Sequence, residues 1–298
     1  MLDYACLSAV SAVIREGSFE GAARKLRITP SAVSQRVRGY EERLGALLIV
    51  RGQPCRATAL GETLAAHVDK VRLLEAEIPH LSGATDEADH PVVTIRVAVN
   101  ADSLAAWLPD VATHCAENLN ICLDLLVEDE ALTADRLRSG EVTAAVTAQT
   151  DPVPGCKSVP IGRLRYLACA SPAFVARYLT EGLTDTSIAA APCLCFDNRD
   201  SVQRRWREIR GFDTELRRTH YVPSTQALID FAVRGLGWAL QPSALVQRFL
   251  EKGELVVIDP NYPVDVELYW VTPRLKSALL TDLTKHMVRA CAQHSALI

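Results

Sequence analysis

The sequence predicts a two-part protein: an N-terminal all-α winged helix-turn-helix with a linker helix, then an α/β body in two lobes. Three observations predict this. Residues 1–60 hold nine Lys/Arg against five Asp/Glu, so a net +4 sits at the front of a 298-residue chain whose total is −4. At residue 92 the apolar pattern changes from helical spacing to strand-like runs alternating with helices. Between the two lies "SGATDEADHP" (82–91), which has the composition of a hinge.

Leu7, Val10, Val13 and Ile14 fall at helical spacing, and Asp3 stands where a signal peptide needs a basic residue. The front segment is therefore expected to be an amphipathic helix of a cytoplasmic protein. Phe19, Ala22, Ala23 and Leu26 follow i, i+3, i+4, i+7, which predicts a short helix capped by Ser18. "RIT" intervenes. Thr29 is a good N-cap and Pro30 sits at the first helical position, where a missing N–H does no harm. The second helix then buries Val33, Val37, Tyr40 and Leu44 and turns Ser31, Ser34, Gln35 and Arg38 outward, with Gly45 as its stop.

Two short helices joined by three residues make a helix-turn-helix, and the N-terminal end of the second is the end that reads base edges in a major groove. Gln and Arg can each make two contacts to one base there. Arg24, Lys25, Arg27 and Arg43 on the flanks are expected to hold phosphates. A solvated helical hairpin could show any one of these features, but the cap, the proline and the outward polar set together favour double-stranded DNA.

Next, Leu47–Val50 is strand-like and "RGQP" is turn chemistry, so Arg51 and Arg56 flank a small β-wing. Thr58 caps a long helix on which Leu60, Leu64, Val68, Val71, Leu74 or Glu75, Ile78 and Leu81 recur every three to four residues. The stripe could pack on its own domain. A dimer seam is preferred, because DNA heads usually act in symmetric pairs. Pro79 ends or kinks this helix.

The body reads as strands at 92–99, 121–128 and 143–148 alternating with helices at 103–117 and 131–139, a pattern that predicts parallel strands covered by helices. A second set starts near 160 with "RYLACA", a helix from Pro172, "CLCF", a helix over 200–210, "RTHYVP", then helices over 224–234 and 242–251 around "GWAL", and "LVVI". The chain returns through "VDVELYWVT" and ends on a helix over 276–294. Crossovers near 161 and 264 then divide the body. The expected units are 1–58 for the head, 59–88 for linker and hinge, and 89–298 for the body. Lobe 1 takes 89–160 and 265–298, and lobe 2 takes 161–264. Phe196 and Trp107 are expected in the core.

Ligands in such sheets sit at strand carboxyl ends beside helix N-termini, whose free N–H groups suit a carboxylate. Asn100, Asp102 and Ser103 occupy one such corner and Ser224 and Thr225 another; Thr147 ends a third strand. "VEDE" (127–130) adds carboxylates that could pair with a cationic ligand, although Asp129 and Glu130 fit a helix-capping role better.

"SFEGAARKLRITPSAVSQRVRGYEERLGALLIVR" with "ATALGE" resembles the winged helix-turn-helix of LysR-type transcriptional regulators. "VAVNADSLAAWLP", "LLVEDEALTADRLRSGEVTAAVT", "VPSTQALIDFAVRGLGWALQP" and "LYWV" resemble the ArgP-type, arginine/lysine-responsive branch of that family. Pro30 departs from the Gln that many members carry, which leaves the operator sequence open. The resemblance implies a periplasmic-binding-protein-like effector domain and DNA contacts from Pro30, Ser31, Ser34, Gln35, Arg36, Arg38, Arg24, Arg51 and Arg56. It also adds weight to Asp102 and Glu128 as contacts of a basic amino acid. It further implies a homodimer or homotetramer built through the linker helix and effector domains, work with RNA polymerase, control of a basic-amino-acid exporter, and no cofactor beyond the effector.

Other classes fare worse. The nine cysteines are odd in number, scattered and without CxxC, as suits reduced, buried thiols; Cys193 and Cys195 would share one strand face. No apolar run approaches the roughly 20 residues of a membrane helix. No nucleophile–base pair, metal spacing or phosphate loop suggests an enzyme. A solute-binding transport protein fits the lobes but not the head. A regulator with a different effector, or an effector-independent nucleoid or replication-origin protein, fits the head equally well.

Overall fold

A computed structural model describes residues 2–75, 92–127, 130–148 and 151–298, and the backbone alone at 130–132. The hinge over 82–91, Ile78, Pro79, Leu81, Glu128 and Asp129 lie outside the described residues.

In the head, α1 (Tyr4–Glu16), α2 (Phe19–Leu26) and α3 (Pro30–Leu44) pack on one another. Thr29 Oγ1 accepts from the Ala32 N–H at 3.2 Å and caps α3. Asp3 caps α1 and Ser18 caps α2 in the same way. Arg27 closes α2 in the left-handed region (φ 54°), so the three-residue turn is reached at a strained non-glycine position. Leu7, Val10, Val13, Val33, Val37 and Tyr40 form the core. Leu44, expected inside, is 44% exposed, because α3 outruns the short helices beneath it. The wing is β1 (Ile49–Val50) antiparallel to β2 (Arg56–Ala57).

The linker helix α4 (Ala59–Glu75) is capped by Thr58, whose hydroxyl accepts from the Gly61 N–H at 3.1 Å. Its stripe divides. Leu64 and Val68 join the head core, Leu73 joins the body core, and Leu60 and Leu74 remain exposed. Gly61 lies against the wing. A Cβ there would come within 2.1 Å of the Leu48 carbonyl oxygen.

Among the described residues the body holds one seven-stranded sheet plus a small two-stranded one. β3 (Val93–Val99) is parallel to β4 (Ile121–Val127) and to β5 (Ala144–Thr147). The remaining pairings in the large sheet are antiparallel, so the all-parallel expectation is corrected to a mixed sheet. The reason is the crossovers. They are two long strands, β6 (Cys156–Ala170) and β11 (Val264–Pro273), paired along their length and running through both lobes. The pair shifts register between Leu268 and Tyr269, opposite Gly162 at φ 126°. There the sheet passes from the β5 side to β9 (Ala239–Pro242) and β10 (Val256–Val257). β7 (Cys193–Cys195) pairs in parallel with β8 (Thr219–Tyr221).

One expected helix becomes two: α5 (Ala101–Ala106) and α6 (Leu108–Leu119). Trp107 breaks the run, because its ring is wholly buried and Pro109 restarts a helix just after it. α7 (Glu130–Ser139) follows β4 in lobe 1. In lobe 2, α8 (Pro172–Tyr178), α9 (Asp185–Ala190), α10 (Val202–Arg210), α11 (Thr225–Val233) and α12 (Ser243–Glu251) cover the strands; α9 was not foreseen. α13 (Ala278–Gln293) returns onto lobe 1. Cys193 and Cys195 do share a face, 3.8 Å between sulfurs, and burial pushes the Cys193 thiol well above its ordinary pKa, away from reactive thiolate. No described helix is long and apolar enough to cross a membrane.

Candidate functional sites: the recognition helix and the interlobe cleft

The first site is the outer face of α3 with the wing. Pro30, Ser31, Gln35 and Arg38 are exposed, and Ser34 and Arg36 are half-buried, while Val33 and Val37 hold the opposite face in the core. The helix therefore presents the polar set predicted from its period. Ser31 is tied locally to Thr29 at 3.0 Å, and Arg38 pairs with Glu42 at 2.9 Å. That exposed i,i+4 pair contributes only about 0.3–0.5 kcal/mol, so a phosphate can draw the guanidinium away.

Arg24, Arg36, Arg51 and Arg56 take part in no ion pair among the described residues, and Arg24, Arg51 and Arg56 are exposed. Arg51 stacks 5.4 Å from the Phe19 ring, which fixes the wing arginine against α2. Two flank positions behave differently from expectation. Arg43 donates to Asp3 at 3.0 Å and lies over Tyr40, and Lys25 pairs with Glu16 at 3.0 Å. The Arg43 guanidinium, helped by the Cys6 N–H, holds the Asp3 carboxyl down at about 2. Arg43 thus ties the end of α3 to the start of α1.

The second site lies between the lobes. Asp102 stands in the first turn of α5, at the carboxyl end of β3. Its Oδ1 accepts from Thr225 Oγ1 at 2.6 Å and its Oδ2 from the Tyr166 hydroxyl at 2.7 Å. Thr225 opens α11 and Tyr166 stands on the lobe 2 half of β6, so one lobe 1 carboxylate is held by two lobe 2 hydroxyls. Burial raises the Asp102 pKa, and those two hydrogen bonds oppose the rise.

Around them lie Phe196, Asp200, Val202, Leu228, Leu240, Gln241 and Pro242, enclosing a cavity of about 20 Å³. Asp200 accepts from the Phe196 and Val202 N–H groups at 3.0 and 3.2 Å. Gln241 is 1% exposed, and neither its amide nitrogen nor its carbonyl oxygen has a partner. A buried amide without a protein partner costs about 1–3 kcal/mol per unmet group, and this one borders the cavity. The described lining holds two carboxylates and no Lys, Arg or His.

The other expected cleft residues fall as follows. Asn100 caps α5 by accepting from the Ser103 N–H at 2.8 Å, and Ser103 is wholly buried with an unpartnered hydroxyl. Ser224 caps α11 by accepting from Ala227 N–H at 3.3 Å. Thr147 does not line this cavity. It faces α7 and lines a separate one of about 110 Å³ with Thr133, Leu137 and Arg274, because β5 turns its last side chain toward the outer helix. Tyr166, Asp200 and Gln241 were missed by sequence reasoning, and Phe196, assigned to the core, also walls the cleft.

Residues 6–62 match the family model described as a bacterial regulatory helix-turn-helix protein of the lysR family, and residues 88–295 match the LysR substrate binding domain. The chain belongs to the LysR family. Among its LysR-family relatives, the HTH-type transcriptional regulator ArgP of Pseudomonas fluorescens (strain Pf0-1) is 41% identical over 294 residues, covering 98% of each chain. The lysine export transcriptional regulatory protein LysG of Corynebacterium glutamicum is 39% identical over 289 residues, covering 96% of this chain and 97% of that one. The solved structure of full-length LysG from C. glutamicum with bound effector Arg superposes with a TM-score of 0.68 at 38% identity, over 98% of this chain and 99% of that one.

Proposed function

We propose that this LysR-family protein is a cytoplasmic transcription regulator that binds promoter DNA through α3 and the wing and responds to a basic amino acid, L-arginine or L-lysine. Ser31, Ser34, Gln35 and Arg38 face base edges, with Pro30 and Arg36 at the groove wall, and Arg24, Arg51 and Arg56 take phosphates. One observation carries the effector reading: the cleft lining described above has two carboxylates and no basic group, so a cationic ligand is the one its field admits. The ligand's own carboxylate is received at the start of α11, by the first-turn N–H groups that the Ser224 cap leaves unused, with the Asn100 and Ser103 corner beside it. Gln241 supplies an orienting amide.

The exposed Leu60 and Leu74 on α4 support pairing of two copies along the linker helix. A dimer, or a tetramer of such dimers, lets effector binding change the spacing of DNA heads, and contact with RNA polymerase completes the output. The name of one relative, the lysine export transcriptional regulatory protein LysG of Corynebacterium glutamicum, supports a basic-amino-acid exporter as the controlled gene. Calorimetry on the full chain with L-arginine and L-lysine tests the effector. Heat with either one, and none with an acidic amino acid, is expected. Silence with both basic amino acids alongside binding of an unrelated metabolite overturns it.

A further inference from the structure

The cleft raises a question of space. Its cavity of about 20 Å³ holds roughly one water, whereas small-molecule sites begin near 300 Å³. A basic amino acid cannot enter while the lobes stand as they do. What closes them is visible: Asp102 on α5 receives hydroxyl hydrogen bonds from Thr225 at 2.6 Å and from Tyr166 at 2.7 Å. α5 also packs directly on α11 and α12 of lobe 2.

We propose that Thr225 and Tyr166 form a latch on Asp102 that holds the lobes shut, and that the effector opens the site by displacing them, its cationic group taking their place on the carboxylate. The proposal rests on the basic-amino-acid reading for its second half, and on the geometry alone for its first.

The chemistry favours such an exchange. Two neutral hydroxyl donors to a buried carboxylate leave the charge uncompensated, and burial accordingly raises its pKa. A guanidinium or ammonium neutralises that charge and forms the stronger, charge-assisted bonds. The second carboxylate, Asp200, is satisfied by backbone N–H groups of its own lobe, so it does not depend on closure. Gln241 has no protein partner among the described residues and lines the same cavity, so its amide is available to a ligand that enters. The latch therefore sets affinity by subtraction: part of the effector's binding free energy is spent on opening, which lowers the apparent affinity of the protein for it.

This predicts a sign opposite to that of an ordinary contact. Tyr166→Phe and Thr225→Val remove one donor each with little change of shape. In the full chain without ligand, amide hydrogen exchange in the first turn of α11 and in α5 is expected to quicken about tenfold in each variant, with Thr225→Ser remaining at the wild-type rate. In calorimetry with L-arginine and L-lysine, both variants are expected to bind threefold to tenfold more tightly than wild type. Weaker binding by both variants shows the hydroxyls to be ligand contacts and overturns the latch, as does exchange unchanged from wild type. Quickened exchange in a protein that binds neither amino acid preserves the latch and removes the effector reading. A variant that melts without cooperativity is replaced by its partner, since either hydroxyl alone carries the test.

Discussion

Two aspartates show how differently the two halves of this chain use charge. Asp3, in the head, faces solvent beside Arg43, and its carboxyl is held down at about 2. Asp102, in the cleft, is hemmed in by protein, and burial pushes its carboxyl up. The head satisfies its own charges at the back and leaves Arg24, Arg51 and Arg56 exposed at the front, without ion pairs among the described residues. The cleft turns its carboxylates inward and closes on them. A surface that meets a long polyanion can stand open permanently, since water solvates it meanwhile. A site for one small cation is enclosed, because only a desolvated carboxylate discriminates by charge strongly enough.

The sharpest way to test the independence of the halves is Gly61→Ala. In an open helix this change would stabilise by up to about 1 kcal/mol. Here the added carbon meets the Leu48 carbonyl, and a loss of about 3 kcal/mol is expected from the head. All four tryptophans (Trp107, Trp206, Trp238 and Trp270) lie in the body, so their fluorescence should keep its wild-type melting curve while operator binding disappears. Loss of both signals together would show that the halves fold as one.

Next in size, Asp102→Asn removes one of the cleft's two carboxylate charges at nearly constant shape. Effector affinity should fall by about 2 kcal/mol, within the range for a hydrogen bond to a charged group, with operator affinity unchanged in the ligand's absence. Titration by calorimetry and by DNA mobility shift separates the two.

Gln35→Ala and Arg51→Ala divide the head itself. The first should cost about 1–3 kcal/mol on the preferred operator and little on other DNA. The second should weaken all DNA equally and reduce the slope of log K against log salt by about 0.9. Identical behaviour in a salt series would erase the distinction between reading helix and wing.

The smallest effect is in pH. Because folding lowers the Asp3 pKa from 3.8 to about 2, its contribution is complete above the unfolded value and disappears as pH falls from about 4 toward 2. Melting curves of wild type and Asp3→Asn should therefore converge over that range. Asp102 works in the other direction: with its pKa raised, ionisation penalises the folded cleft, and the penalty is relieved as pH falls through the raised value.

The head was legible because its face is written along one helix. Caps at Ser18 and Thr29, a proline at the first turn and a 3.6-residue period place Ser31, Ser34, Gln35 and Arg38 on one side without any knowledge of the rest. The cleft was half legible. Asp102 and Thr225 could be placed at the cavity because strand ends followed by N-caps are local signals, whereas Asn100 and Ser224 cap the two helices and Ser103 is buried behind them without lining it. Tyr166, Asp200 and Gln241 come from β6, the entry to α10 and the interior of β9, and only pairing across the sheet brings them to Asp102. Nothing local distinguishes Gln241 from an outward strand residue. The mixed sheet stayed hidden for the same reason, since "CKSVPIGRL" joins "RYLACA" in one 15-residue strand only through its partner β11, a hundred residues on.

That shared pair of strands constrains how such genes can be shuffled. Each lobe borrows its middle from β6 and β11, so neither could be grafted alone onto a relative without severing both ladders at Gly162 and Leu268. Recombination that trades sensing modules keeps both ladders when it cuts ahead of β3, where the body changes hands whole and the DNA-reading front is retained, and there it has the Leu73 contact with the body core to rebuild.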